Sequence, residues 1–231
     1  MSKVKYLGII IVIIIITIIT VPSLIDRIEN NQIIENNRTF SASPLSYIKI
    51  NNEARKVPDF LFFNQDSLMI TNEDFKGKIY VAEFFFTRCP SICLIMNNNM
   101  KRIENKFGKR DDFGIASFTI DPDNDRPHVL KSYAESYDVF STNWHFLTGN
   151  KKDVYSLANK GFNIFASINP EVAGGFEHQG YFALIDKKGY IRSRMDKFGN
   201  PIVYYLGIDQ EGTDVQGTDL IIEDIIKLLK E

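Results

Sequence analysis

The residues from Ile79 to Phe86, IYVAEFFF, run directly into a pair of cysteines and constrain the fold more than any other segment. Apart from Glu83 the stretch is apolar, a pattern typical of a strand buried on both faces of a sheet. Beyond Cys89-Pro-Ser-Ile-Cys93, apolar and methionine positions recur at helical spacing as far as Phe107. A buried strand followed at once by a helix predicts an α/β domain with the cysteines at one end of its sheet.

The rest of the domain continues this alternation of strands and helices. Apolar patterning predicts a second buried strand over 113–121, a helix opening at Pro127, a short strand over 144–147, a helix over 152–160, a hairpin of 180–186 with 189–194, and an amphipathic helix over 220–229. Elements in this order favour a central mixed β-sheet flanked by helices.

The N-terminal 25 residues carry a different signal. Residues 6–25 are almost entirely apolar, and at about 1.5 Å per residue a helix of that length crosses a ~30 Å hydrocarbon layer. Lys3 and Lys5 precede the run and place the N-terminus in the cytoplasm. A cleaved signal peptide is the competing interpretation, but its apolar region is roughly 7–15 residues and ends at a small-x-small site. We expect one N-terminal transmembrane helix in a bacterial inner membrane, with the C-terminal domain in the periplasm.

Three regions follow from these patterns: a membrane anchor over 1–25, a flexible polar tether over 26–46, and one folded domain over 47–231. Lys and Arg number 27 against 29 Asp and Glu in the whole chain, giving a net charge of -2. A nucleic-acid-binding protein usually has a basic surplus, so we expect no nucleic-acid partner. The lipid bilayer is the partner that residues 6–25 predict.

The two cysteines are the only ones in the chain, which also has three histidines. At the start of a helix, a spacing of four lets both sulfurs lie on one side, and the N-terminal N–H groups favour thiolates. A structural disulfide is one interpretation, but a bridge across so short a loop restricts the unfolded chain little. A redox pair and a metal site remain. Two thiolates favour Cu(I) or Zn, and such a site needs a further ligand.

The histidines are the obvious source of that ligand. His128 follows Pro127 in a predicted first helical turn, which favours a solvated surface position. His145 alternates with aromatic residues in a short strand, which favours a half-buried structural role. His178 follows two glycines in GGFEHQGYFALID, where a loop could carry it over the cysteines. A solvated or structural role for His178 stays open at this point.

Glu83 is a carboxylate within an otherwise apolar strand, six residues before Cys89. Burial raises the pKa of a carboxyl group, so Glu83 could exchange protons with a nearby thiol; a salt bridge with a lysine is the alternative. Met96 and Met100 continue the helix face that begins with the cysteines. Thioether ligation is conceivable there, although packing is the commoner role of such methionines.

Taken together, the motifs resemble the SCO/SenC family in order and spacing. The matching residues are DFKGK at 74–78, FFFTRCPSIC at 84–93, FTIDPDNDRPHVLKSYA at 118–134, WHFLTG at 144–149 and EHQGYFALIDKKGYI at 177–191. The resemblance implies a thioredoxin-like fold, a membrane tether, and copper bound by Cys89, Cys93 and His178. It further implies a role with the copper-bearing subunit of cytochrome c oxidase, either as a metallochaperone that delivers copper or by keeping that subunit's cysteines reduced.

Several positions modify what the resemblance implies. Asp121 falls in the family's acidic segment near the site, where it would orient or neutralise without ligating. Arg88, where the family often has an aromatic residue or histidine, would favour the Cys89 thiolate by its charge. Leu94 stands where a second proline is frequent. Residues 197–216 lengthen the connection before the last helix, without an assigned role.

Two hypotheses of function stay open. The first is a copper chaperone without turnover, acting on cytochrome c oxidase or another extracytoplasmic copper or thiol protein. The second is an enzyme, a tethered thiol-disulfide oxidoreductase in which Cys89 attacks and Cys93 resolves.

Overall fold

The computed structural model describes residues 13, 16–18, 20–22, 44–196 and 198–231. Residues 13, 16–18 and 20–22 are helical. Within the described residues, no helix has the length and apolarity needed to cross a bilayer. Most of the predicted anchor at 1–25, and most of the predicted tether at 26–46, lie outside the described residues.

Thirteen short strands occur within residues 44–206 of the described chain. They are β1 (Ser46–Tyr47), β2 (Lys49–Ile50), β3 (Glu53–Ala54), β4 (Leu61–Phe63), β5 (Met69–Thr71), β6 (Ile79–Phe85), β7 (Phe113–Thr119), β8 (Trp144–Leu147), β9 (Ala166–Ile168), β10 (Phe176–His178), β11 (Tyr181–Ile185), β12 (Ile191–Ser193) and β13 (Tyr205–Leu206). The predicted strands at 79–86, 113–121 and 144–147 and the predicted hairpin are all confirmed.

Seven of these described strands form the central sheet, in the order β1-β12-β11-β6-β7-β8, with β13 pairing β11. β6, β7 and β8 run parallel, whereas β11 is antiparallel to β6. The sheet is therefore mixed, as predicted. β6 and β7 are buried along their whole length because neither lies at an edge.

Four α-helices connect or follow these strands in the described domain. They are α1 (Ile92–Phe107), α2 (Pro127–Ser136), α3 (Lys151–Ser156) and α4 (Gly217–Leu228). Pro127 occupies the first turn of α2, where its missing N–H costs nothing. The Asn150 side chain accepts from the first N–H groups of α3, which continues as a π-helix over Leu157–Phe162. The predicted helix over 152–160 thus has a second, wider half.

Helices cover both faces of β6. Phe85 meets Tyr133 of α2 with ring centroids 5.5 Å apart, on the face that Glu83 shares. Phe84 points the other way, with its ring centroid 5.6 Å from that of Phe162 in the π-helix. All three strand residues are fully buried. This two-sided packing gives the sheet a dry core and makes its ends the accessible places for chemistry.

One end of the sheet gathers three chain segments. The parallel pairing of Phe85 with Thr119 aligns the carboxyl ends of β6 and β7. The antiparallel pairing of Ala183 with Ala82 brings the start of β11 to the same end. The cysteine turn, the loop after β7 and the residues before β11 therefore meet at one edge.

Candidate metal centre

The two cysteines stand on the connection from β6 to α1. Cys89 lies in a turn closed by its own N–H, which donates to the Phe86 carbonyl at 3.2 Å. α1 begins at Ile92, so Cys93 is its second residue and Cys89 precedes the helix. Cys89 thus stands just before the helix rather than within its first turn, because Pro90 and Ser91 form the approach to it. Both cysteines are free thiols and buried, Cys89 being 7% exposed and Cys93 0%.

His178 reaches the cysteines from a hairpin that the sequence patterns do not predict. It ends β10, which pairs antiparallel with β9 through His178 and Ala166. Its Nε2 lies 3.2 Å from the Cys93 sulfur, and its Nδ1 lies 3.2 Å from the Gln179 carbonyl oxygen. A carbonyl only accepts, so this contact puts a proton on Nδ1 and leaves the Nε2 lone pair directed at the sulfur in the neutral ring.

The Sγ atoms of Cys89 and Cys93 and the imidazole nitrogen of His178 all lie within 4.8 Å of one another, forming a metal-ligand cluster among the described residues. A cleft of about 210 Å³ opens beside them, lined in part by Phe86, Ile92 and Phe176. Two soft sulfurs and one imidazole suit Cu(I) or Zn rather than hard oxygen-seeking cations. The residues present therefore fit a soft metal ion.

The two thiols have very different acidities. A hydrogen bond from Cys93 lowers the pKa of Cys89 to about 3. The same hydrogen bond, together with burial and the Cys89 charge, raises the pKa of Cys93. Cys89 is consequently a thiolate at neutral pH, able to attack a disulfide or bind a metal, while Cys93 keeps its proton until a metal or a disulfide replaces it.

Glu83 lies beneath the site, fully buried. Its Oε1 accepts from the Ser117 hydroxyl at 2.7 Å, and that hydroxyl accepts from the Trp144 indole N–H at 3.0 Å. Its Oε2 has no hydrogen-bond partner among the residues that the structure describes. Burial raises the pKa of Glu83 to about 7. The alternative of a salt bridge with a lysine is wrong, because the partner is Ser117 on the neighbouring strand.

Arg88 turns away from the sulfurs to Asp121. Its Nη2 donates to the Asp121 carboxylate at 2.5 Å, with Asp121 nearly buried and Arg88 more than half exposed. Asp121 therefore neutralises Arg88, and neither residue belongs to the ligand cluster.

Asp125 is a residue of the site region that the sequence reasoning missed as a functional group. It is fully buried, and its carboxylate accepts from the Thr87 N–H, from the Thr87 hydroxyl and from the Thr119 hydroxyl. It thereby ties the end of β7 to the residues just before Cys89. The sequence feature that could have pointed to Asp125 is its place in the acidic run DPDND at 121–125.

The other two histidines are not members of this cluster, and Met96 and Met100 belong to the hydrophobic core. His128 is exposed. His145 is half-buried, its ring Nδ1 lies 3.2 Å from the Asn64 amide nitrogen, and burial lowers its pKa. Met96 and Met100 are fully buried members of the core. These positions agree with the solvated, structural and packing roles expected for them.

Comparison with known proteins places this arrangement in a family. The SCO1/SenC family model matches residues 49–211. The chain is 35% identical over 138 residues to the SCO1 protein homolog of Bacillus subtilis, which covers 59% of this chain and 71% of that protein.

Solved structures agree. The chain superposes with a TM-score of 0.60 on BsSco, described as a member of the Sco family of cytochrome c oxidase assembly proteins with a disulfide switch; the two are 31% identical, over 75% of this chain and 93% of that one. Yeast Sco1 with copper bound has the same fold, with a TM-score of 0.56 at 20% identity over 77% of this chain and 90% of that one. The mixed α/β domain thus matches the thioredoxin-like Sco structures, and the chain belongs to the SCO1/SenC family.

Proposed function

We propose that this chain is a membrane-tethered, extracytoplasmic copper-binding protein that assists assembly of the copper centre of cytochrome c oxidase. Cys89, Cys93 and His178 hold the copper. The observation that carries the proposal is the convergence of their three ligand atoms within 4.8 Å, although His178 lies 85 residues beyond Cys93.

Copper would be carried by this protein and passed to a partner, and the site suits an ion that has to be released. Two sulfurs and one nitrogen allow a trigonal Cu(I) site with an open edge on the cleft. A cysteine or histidine of the recipient could enter that edge and take over the ion by ligand exchange. The recipient is the copper-bearing subunit of the oxidase or another extracytoplasmic copper or thiol protein. No chemical turnover is needed, so the chain acts as a metallochaperone.

The low pKa of Cys89 favours a second candidate function, a thiol-disulfide oxidoreductase. The Cys89 thiolate would attack a partner disulfide, and Cys93 would then displace the reduced partner thiol as Cys89–Cys93 closes. This enzyme would keep the cysteines of a partner reduced. Because disulfide exchange requires no imidazole ligand, replacing His178 should impair the first function and spare the second.

Competitive Cu(I) titration of the reduced full chain, with a chromophoric chelator, tests the metal site. The His178→Ala variant should bind Cu(I) at least about 10-fold more weakly, since it loses one of three ligands. The matched control is His128→Ala, which removes an exposed histidine and should bind like the wild type. Disulfide exchange with a small disulfide should survive in both variants.

Unchanged copper affinity in His178→Ala would exclude the three-ligand site. A wild-type chain that takes up no stoichiometric copper, yet exchanges disulfides at Cys89, would replace the chaperone by the oxidoreductase.

The tether is tested separately. Residues 6–25 are almost entirely apolar and follow Lys3 and Lys5, which supports an anchor with its C-terminal domain outside the cytoplasm. In a bacterial host, the full chain should stay with membranes after alkaline carbonate washing, and protease added to spheroplasts should digest residues 47–231. Release by carbonate, or protection from protease, would contradict the proposed location.

A further inference from the structure

Residues 205–209, here called the bracing segment, lie within the stretch before the last helix that had no assigned role. β13, at the start of this segment, pairs with the beginning of β11 through Leu206 with Tyr181 and Tyr205 with Phe182. The next residue, Gly207, donates its N–H to the Gly180 carbonyl at 2.8 Å. The bracing segment therefore holds the backbone two residues after His178.

The same segment is bound to the helix that carries Cys93. Asn99 of α1 is 3% exposed, and its amide nitrogen donates to the Gly207 carbonyl at 3.0 Å and to the Asp209 carboxylate at 2.9 Å. Gly207 thus uses its N–H on the histidine side and its carbonyl on the cysteine side. Gly207 therefore links the chain next to His178 with the helix that carries Cys93.

Packing reinforces the link. A Cβ placed on Gly180 would lie 3.4 Å from Ile208 of the bracing segment, 3.6 Å from Ile92 and 3.7 Å from Met96 of α1. Gly180 therefore lies close to side chains of both the bracing segment and α1. A Cβ on Gly207 would come within 2.9 Å of the buried Phe182 ring, so any larger residue here would require that ring to move.

We propose that Asn99 and the bracing segment are positioning elements that fix His178 against Cys93 before any metal arrives. This inference rests on the proposed copper site, and it adds that Asn99 and the bracing segment set the distance between His178 and Cys93. A ligand set binds tightly only when its members are held near the productive geometry, and loss of outer-shell partners typically weakens metal sites about 10- to 100-fold. Without Asn99, the bracing segment would stay paired with the start of β11 but would lose both of these hydrogen bonds to α1.

The test is a double-mutant cycle on the full chain, again by competitive Cu(I) titration. Asn99→Leu keeps similar volume but removes both donated hydrogen bonds, and should weaken Cu(I) binding about 10-fold. In the His178→Ala background the same substitution should change affinity by less than about twofold, because the positioned ligand is already gone. Asn98→Ala, an exposed asparagine on the same helix, is the matched control and should bind like the wild type.

Asp209→Ala provides a second test in case Asn99→Leu misfolds. Asp209 is exposed and supplies only one of the two acceptors of Asn99. It should weaken Cu(I) binding about two- to fivefold, and only when His178 is present. Wild-type affinity in both variants would overturn the proposal. So would a loss that persists undiminished in the His178→Ala background, because it would mean general damage or an effect on the cysteines.

A metal-free measurement separates this proposal from the copper site itself. NMR contacts between the His178 imidazole and the Cys93 side chain should be present in the wild-type apo chain and weakened in Asn99→Leu, with those between β6 and β7 retained. If His178→Ala binds copper normally, the proposed function fails. If His178→Ala binds weakly while Asn99→Leu keeps both its affinity and its NMR contacts, the positioning role fails and the copper site stands.

Discussion

The imidazole Nε2 of His178 lies 3.2 Å from the sulfur of Cys93, a residue 85 positions earlier in the chain. Phe86 lies next to this pair, its ring centroid 6.0 Å from that of His178 and 5.2 Å from that of Phe176. The two aromatic rings therefore line the cleft beside the contact and give it an apolar wall.

The two cysteines should differ sharply in alkylation. With a pKa of about 3, Cys89 is fully a thiolate above about pH 5, so its rate with iodoacetamide should be flat between about pH 5 and pH 8. Cys93→Ala removes the thiol that donates to Cys89, and its Cys89 rate should then rise with pH across this range. Mass spectrometry of the alkylated peptides measures both rates. A wild-type rate that increases about tenfold per pH unit would contradict the assigned thiolate.

Glu83 should make the stability of the domain fall as pH rises. The unfolded chain releases this proton near pH 4.5, whereas the folded chain keeps it until about pH 7. Between these values the free energy of unfolding should drop by about 3 kcal/mol, then level off above pH 7. Glu83→Gln has no proton to release and should lack this drop. Urea unfolding of both chains at several pH values measures the difference, and parallel pH profiles would contradict it.

Asp125 should matter far more than its neighbour Asp123. Asp125→Ala leaves the half-buried Thr87 N–H and hydroxyl and the buried Thr119 hydroxyl without their acceptor, and should reduce the free energy of unfolding by about 3 kcal/mol. Asp123→Ala removes an exposed ion pair with Lys151 and should cost less than about 1 kcal/mol. Urea unfolding at neutral pH compares them. Equal losses would mean that Asp125 does not hold the cysteine turn.

Gly174 and Gly175 provide a matched pair in the loop of the His178 hairpin. Both have positive φ angles, 88° and 81°, so alanine is strained at either position. A Cβ on Gly174 would also approach the Phe86 ring to 2.9 Å, while one on Gly175 meets nothing within 4 Å. Gly174→Ala should therefore weaken Cu(I) binding measured by chelator competition, and Gly175→Ala should leave it close to wild type. Equal affinities would show that the loop does not set the His178 position.

The sequence predicted those strands and helices whose pattern of apolar residues or prolines can be recognised within the element itself. The apolar runs at β6 and β11 and the proline at the start of α2 each reflect burial or a backbone preference within a few residues. The two cysteines and His178 were predicted as one site only through the family resemblance, since spacing alone left His178 open.

The missed features depend on distant pairings. The β9–β10 hairpin joins three-residue strands that are too short for a periodicity, and β13 has two residues. The partner of Glu83 was missed because Ser117 becomes its neighbour only through the register of β6 with β7. Asn99 gave no signal either, because its acceptors lie 108 and 110 residues away.

We expect the antiparallel pairing of β11 with β6 to form late during folding. Ala82 and Ala183 are 101 positions apart, and closing so long a loop is among the slower steps available to a domain of this size. The turn with both cysteines can form early, from neighbouring residues, whereas we expect His178, which lies three residues before β11, to reach the cysteines only once this pairing is made. A chain caught midway through folding offers copper two thiols without the histidine, so high-affinity copper uptake would report completion of the sheet.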